Sequence, residues 1–214
     1  MTDGIANLTP DPHVELLGET VLWKGAWRSM LQRAVTLPGA AKEEVKFDVV
    51  ASNHGDESVL VLAWDTRTRT ATLIREYHPG PNEWQYGVVA GGFEGKHDSP
   101  LDAGRSELEE EARLVGGSWT SLLIPREEEE AAGGGVTTVS HDKYTTNRFH
   151  AFLAVDCERV EEGKARDDEE SIRVVHGVTA AELRHLVRTA RLNVPSSYAI
   201  LLALDALREM GLIS

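Results

Sequence analysis

Glu107, Glu110 and Glu111 are the residues of this chain whose type and spacing best suit chemistry. On a helix turning about 100° per residue they fall within roughly a third of the circumference. Leu101, Gly104, Leu108 and Ala112 form the adjoining apolar face, and Glu109 projects away from both sets. Carboxylates crowded on one face repel one another unless a cation lies between them, and hard oxygen ligands select magnesium, manganese or calcium. A Glu-rich helix is also the common pattern of a solvated face, so the Glu run alone leaves both readings open. The residues in front of it narrow the choice. Gly91, Gly92 and Gly95 form a glycine-rich loop, Ser99 is placed to cap a helix, Pro100 takes its first position, and Asp102 completes a capping-box-like pattern. A glycine-rich loop leading into a carboxylate-bearing helix suits a divalent metal seated on a diphosphate.

The elements that must position this helix read as strands on either side of it. Residues 1–20 read as a loose polar leader. β-like runs follow at 21–23, 31–37 and 45–50, and a turn at Ser52, Asn53, His54 and Gly55 separates the last of these from 58–64. Residues 70–77 and 85–91 read as further strands. The carboxylate helix runs from 101 to about 114 and ends at Gly116 and Gly117. Strands follow at 119–124, 136–139, 149–155 and 172–176, with 127–135 as an insertion loop. Thr179 and Glu182 form a capping box that opens one helix. Ser196 or Ser197 opens the last, which buries Leu201, Leu202, Leu204 and Leu207. This order describes an α/β (α+β) fold, a mixed sheet sandwiched between helices behind a small N-terminal β-rich lobe. The expected divisions are a leader at 1–20, a β lobe at 21–57 and the main domain at 58–214.

At 214 residues, with 41% hydrophobic and 27% charged side chains, the chain can bury a proper core. Its net charge of −13 argues against a partner with a phosphate backbone, which needs a basic surface. Much of the acid lies in runs at 127–130 and 167–170, the usual composition of solvated loops. Cys157 is the single cysteine, so no intrachain disulfide forms and a reducing compartment is expected. It follows an apolar strand without a partner that would activate its thiol. The N-terminus lacks the basic and apolar regions of a signal peptide, and no apolar run has the length of a membrane span. A soluble, cytoplasmic protein is expected, with neither membrane nor nucleic acid as partner.

The segment from Gly92 to Leu114 resembles the Nudix box. Gly92 takes the first glycine, and Glu107, Leu108, Glu110, Glu111 and Leu114 fall in register. Four positions depart. Asp98 stands for the first Glu, Ser106 for the Arg, Arg113 for the second Gly, and Gly91 for the Ala that often precedes the box. The likeness extends over roughly residues 20–210. Trp23 and Trp27, with the strands after them, look like the N-terminal lobe of the ADP-ribose and nucleotide-sugar pyrophosphatase branch. Residues 72–80 resemble its strand and loop before the box, 148–154 its later strand, and 167–175 its acidic loop and strand before the closing helices.

This resemblance implies a function. Glu107, Glu110 and Glu111, with the Gly91 carbonyl, would hold magnesium or manganese ions, and Glu111 and Glu169 would carry the catalysis. The branch recruits its base from a late loop, where Asp168, Glu169 and Glu170 are the candidates and Glu169 is favoured. The substrate would be a small-molecule nucleoside diphosphate linked to a sugar or similar group, cleaved at its pyrophosphate. A homodimer formed through the N-terminal lobe is the branch's habit. Ser106 cannot supply the charge-assisted pair by which the box Arg orients a glutamate. Arg105 is turned about 100° away around the helix. Asn147 and His78 stand where the branch often has Glu and Arg.

Substrate contacts are suggested by Arg75, Trp84 and Lys143. Trp84 and Tyr86 can stack on a base or pack in the core; Arg75 can meet phosphate or cap a strand edge. His150, in an alternating strand, reads as a core histidine. Two classes of function stand against each other: a metal-dependent hydrolase, favoured by the three retained glutamates, and a degenerate domain that binds a nucleotide or a protein without turnover, favoured by the loss of the box Arg.

Overall fold

The computed structural model describes residues 12–125, 137–161 and 171–214. They divide into two units, one holding residues up to Asn53 with Asp142–Thr146, the other holding His54–His141 and Asn147–Ser214. No helix among the described residues is long and apolar enough to cross a membrane.

The first unit is an antiparallel meander of β1 (Glu15–Lys24), β2 (Arg28–Thr36) and β3 (Val45–Ser52). Asn53 closes its first turn: Nδ2 donates to the Gly25 carbonyl at 2.7 Å, and Oδ1 accepts from Ser29 Oγ at 2.5 Å. Tyr144 and Thr146 bond the Val50 backbone at 2.9 and 3.0 Å, which is why 142–146 belongs here. The strand β1 starts at Glu15, inside the stretch expected to be a leader through residue 20. Its side chains are exposed along its whole length, so it carries no buried-polar alternation from which a strand could be read.

In the second unit the central strand is β4 (Glu57–Asp65), buried on both faces along most of its length. It runs parallel to β11 (Arg148–Val155), with His150 opposite Val59. Its other edge is shared. The first half pairs β7 (Val89–Gly92), with Val59 opposite Gly91, and the second half pairs β5 (Thr70–His78). Where β5 diverges from β4, β6 (Glu83–Gly87) pairs it instead. The single strand expected at 85–91 is therefore two strands, because the chain changes partners between Gly87 and Val89. Gly87 lies close against Ser196 Oγ, which also accepts the Val88 N–H at 3.3 Å. Strands β9 (Ser118–Ser121) and β10 (Val139–Ser140) line β11, and β13 (Arg173–Thr179) lines β5. Two short strands unseen in the sequence, β8 (Leu114–Val115) and β12 (Glu158–Arg159), pair with each other.

Helices cover both faces of this mixed sheet. On one, Ala103, Leu108 and Ala112 of α1 (Pro100–Ala112) pack on Val59, Val61, Ala63 and Ile74. On the other, α2 (Ala180–Arg188) and α3 (Val194–Glu209) bury Leu183, Ile200, Leu204 and Leu207 against Leu60, Leu62, Trp64 and Leu73. The alternation along β4 and β5 divides the two cores residue by residue. Thr179 and Glu182 form the expected capping box. The last helix is capped by Asn193, whose Oδ1 accepts the Ser196 N–H at 2.8 Å, earlier than either expected serine. Leu204 and Leu207 are buried and Leu202 half-buried as expected, but Leu201 is 47% exposed. It falls on the side of α3 turned from the sheet. The expected acidic runs at 127–130 and 167–170, with Glu169, lie outside the described residues.

Candidate metal and substrate site

The carboxylate helix begins as its sequence dictates. Ser99 Oγ accepts the Asp102 N–H at 3.1 Å, and Pro100 occupies the first turn. Gly104 lets the helix lie close to the sheet, since a Cβ there would press on Val61 at 3.2 Å. The close approach aims the first carboxylate. Glu107 lies directly over Gly91 of β7, so tightly that a Cβ on Gly91 would overlap its carboxyl group. A side chain at Gly91 would force this carboxyl group to move.

Glu111 is only 2% exposed, and its Oε2 accepts the Ala90 N–H at 3.1 Å. Glu107 and Glu110 are half-buried. A cation already stands among these groups. Lys96 Nζ lies 3.2 Å from Glu94 Oε2. Its pKa is raised above the ordinary lysine value, chiefly by that bond, and further by the charges of Glu107 and Glu110. The C-terminal half of α1, where Glu107 lies over Gly91, therefore gathers negative charge and hard oxygen donors. In donor chemistry and charge these residues fit magnesium or manganese. Among the described residues, however, no three His, Cys, Asp or Glu side chains are gathered closely enough to cage an ion. One oxygen of Glu111 is committed to the backbone of β7.

Ser106 stands where the box has Arg, and Arg105 does not replace it. Arg105 reaches Asp102 at 3.4 Å and lies 5.9 Å over the Trp119 ring, away from Glu107.

Near this cluster His150, read in the sequence as a core histidine, is buried as expected, but its partner Glu57 was not singled out. His150 is 2% exposed, and its Nε2 lies 2.7 Å from Glu57 Oε2, while its Nδ1 is buried without a hydrogen-bond partner. His150 is opposite Val59, which is opposite Gly91, so all three lie in one row across the α1 face. The Phe93 ring stands edge-on to His150 at 6.2 Å. The signal for Glu57 was its parity with Val59 and Val61, which turns a charged residue toward the apolar face.

Arg75 and Trp84 come together around a cavity of about 380 Å³ that also involves Arg191. Arg75 follows the parity of Leu73, so it points to the α2 and α3 face, away from Glu107. Lys143 belongs to the other unit, where its Nζ lies 5.2 Å over the Tyr144 ring. A cavity of about 470 Å³ lies at the far end of β4, bordered by Asp65, Thr72, Arg159 and His176, and holds none of the α1 glutamates.

A scan against protein-family models and a search of curated proteins find no match. Solved structures do match in fold. The structure is similar to the crystal structure of an ADP compounds hydrolase, with a TM-score of 0.72 and 16% sequence identity, over 94% of this chain and 98% of that one. At that identity the likeness is one of fold, shared over nearly the whole length of both chains.

Proposed function

We propose that the chain is a metal-dependent pyrophosphatase acting on a nucleoside diphosphate linked to a sugar or similar group, in the manner of ADP-ribose. The observation that carries this reading is the Glu107 carboxylate seated on Gly91, with Glu110 and the buried Glu111 on the same helix. The fold shared with a hydrolase of ADP compounds supports it. Glu107, Glu110 and Glu111, with the Gly91 carbonyl, would hold magnesium or manganese. Such an ion supplies neutralisation of the diphosphate charge and lowers the pKa of water.

The chain's own residues do the positioning. The Ala90 N–H fixes Glu111, and Gly91 leaves room for Glu107 to approach the backbone. Lys96 offers a mobile cation that a substrate phosphate can recruit. Glu169 is proposed as the base on the strength of the late acidic run in the sequence. The rival reading, a domain that binds without turnover, is favoured by Ser106 and by the absence of a tight three-carboxylate cage among the described residues.

Hydrolysis of nucleoside diphosphate sugars, ADP-ribose and dinucleotides, with magnesium or manganese, separates the two. Metal-dependent cleavage is expected in the wild type. It should fall by about a hundredfold in Gly91→Ala, where the new Cβ displaces the Glu107 carboxylate by the order of an ångström, and be lost in Glu107→Gln and Glu110→Gln. Because Glu107 and Glu110 are only half-buried, these variants should fold. Folded wild-type protein that cleaves nothing in the panel would leave the binding domain as the reading.

A further inference from the structure

The cavity at Arg75 is lined by Trp84 and by a second arginine, Arg191. Pairing places Tyr86 of β6 opposite Arg75 of β5, and Arg75 opposite Arg173 of β13. Directly opposed residues share a face, so these three lie in a row across three strands. Trp84 stands two pairs further along, opposite Tyr77, and so shares their face. Arg191 enters from the connection between α2 and α3, where its carbonyl accepts the Tyr86 N–H at 3.1 Å.

Arg75 Cζ lies 5.3 Å from the centre of the Tyr86 ring, and Arg173 Cζ lies 5.3 Å from that of Trp84. None of Arg75, Arg173 and Arg191 is ion-paired among the described residues, and Arg75 Nε is buried without a hydrogen-bond partner. One carboxylate, Glu83, lines the cavity, and it accepts from Gln85 Nε2 at 2.7 Å. Like charges placed opposite each other across strands destabilise a sheet, and a buried donor without a partner costs free energy. The chain carries a net charge of −13, yet among the described residues no carboxylate pairs these groups. An oxyanion held by the guanidinium groups would satisfy the donor and the charge together. Trp84 and Tyr86 would then offer rings to a planar base, because stacking tolerates any base.

We infer that this cavity binds a nucleoside monophosphate, its phosphate on Arg75 and its neighbouring arginines and its base against Trp84. The site lies on the α2 and α3 face, whereas the α1 glutamates lie on the other. It is therefore a second nucleotide site, and it needs no metal. It stands apart from the hydrolase reading, which can fail without it.

Calorimetric titration of AMP into protein held in EDTA tests it. Saturable binding is expected, with ribose 5-phosphate and adenosine each weaker than AMP. Affinity should fall about tenfold or more in Arg75→Gln, in the exposed Arg173→Gln and in Trp84→Ala, and persist in Glu107→Gln. A thermal unfolding scan of each variant confirms that it is folded. No saturable binding to the wild type would overturn the inference. So would equal affinity for adenosine and AMP, binding indifferent to both arginine variants, or binding lost in Glu107→Gln and kept in Arg75→Gln.

Discussion

A histidine that holds its proton less well in the folded chain than in the unfolded one makes stability depend on pH, and His176 is such a residue. Its pKa is lowered from 6.5, first by burial and then by the charge of Arg159. Thr72 Oγ1 lies 3.0 Å from its Nδ1, and Asp65 and Arg67 border the same cavity. As pH falls through 6.5 the unfolded chain takes up the proton and the folded chain does not, so acid favours unfolding until the folded pKa is passed. Stability should therefore rise with pH across that window and level off above it. Replacing His176 by Gln, which can keep the Thr72 contact, should flatten the rise. Urea midpoints of both proteins between about pH 5 and about pH 8 measure it. Cys157 behaves oppositely: burial, then Asp156, pushes its thiol up to about 11, so it stays a protonated, unreactive thiol at neutral pH, as the sequence suggested. At this scale the grouping of Glu107, Glu110 and Glu111 on one helix was legible, because helical spacing sets it. The contact of His150 with Glu57 was not, because it depends on a parallel register between distant strands.

At the scale of elements, α1 shows how one departure from a motif is absorbed. The sequence placed the end of this helix near residue 114, at the Gly116 and Gly117 pair. It ends instead at Ala112, with Arg113 in the left-handed conformation at φ 58° and its N–H bonded to the Glu109 carbonyl at 3.1 Å. That is the position where glycine commonly stops a helix. The missing glycine therefore leaves the geometry unchanged and makes the side chain bear its strain, about 1 kcal/mol. Arg113→Gly should stabilise the protein by up to that amount and raise Tm by about 2–4 °C in a differential scan. A lower Tm would mean that the arginine's own contacts outweigh the strain. Strand number and order were largely legible, because buried β4 and β11 are continuous apolar runs. The break between β6 and β7 was not: it reflects a change of pairing partner, and no turn residue marks it except Gly87. The same break hid which face Arg75 and Trp84 would share.

For the whole molecule, several large apolar side chains among the described residues are exposed on β1 and the turn after it. Leu16, Leu22, Trp23 and Trp27 are between 50 and 60% exposed, and clustered apolar surface of this kind marks an interface in soluble proteins. The homodimer implied by the family resemblance would cover it. Light scattering at micromolar concentration should return twice the mass of one chain, and Leu22→Lys should return one. A wild-type monomer would remove the dimer from the proposed function.

The central strand also bears on how the chain comes to be folded. Its parallel partner, β11, lies roughly 90 positions later, so the pairing must wait for a long loop to close. While the chain is being made, β4 has its hairpin neighbour β5 and then β7 early and lacks β11 until synthesis passes Val155. Through that interval one edge of this buried, apolar strand is open to any other strand it meets. Chains stopped before Arg148 would keep that edge permanently, and aggregation rather than a smaller folded domain is their expected fate.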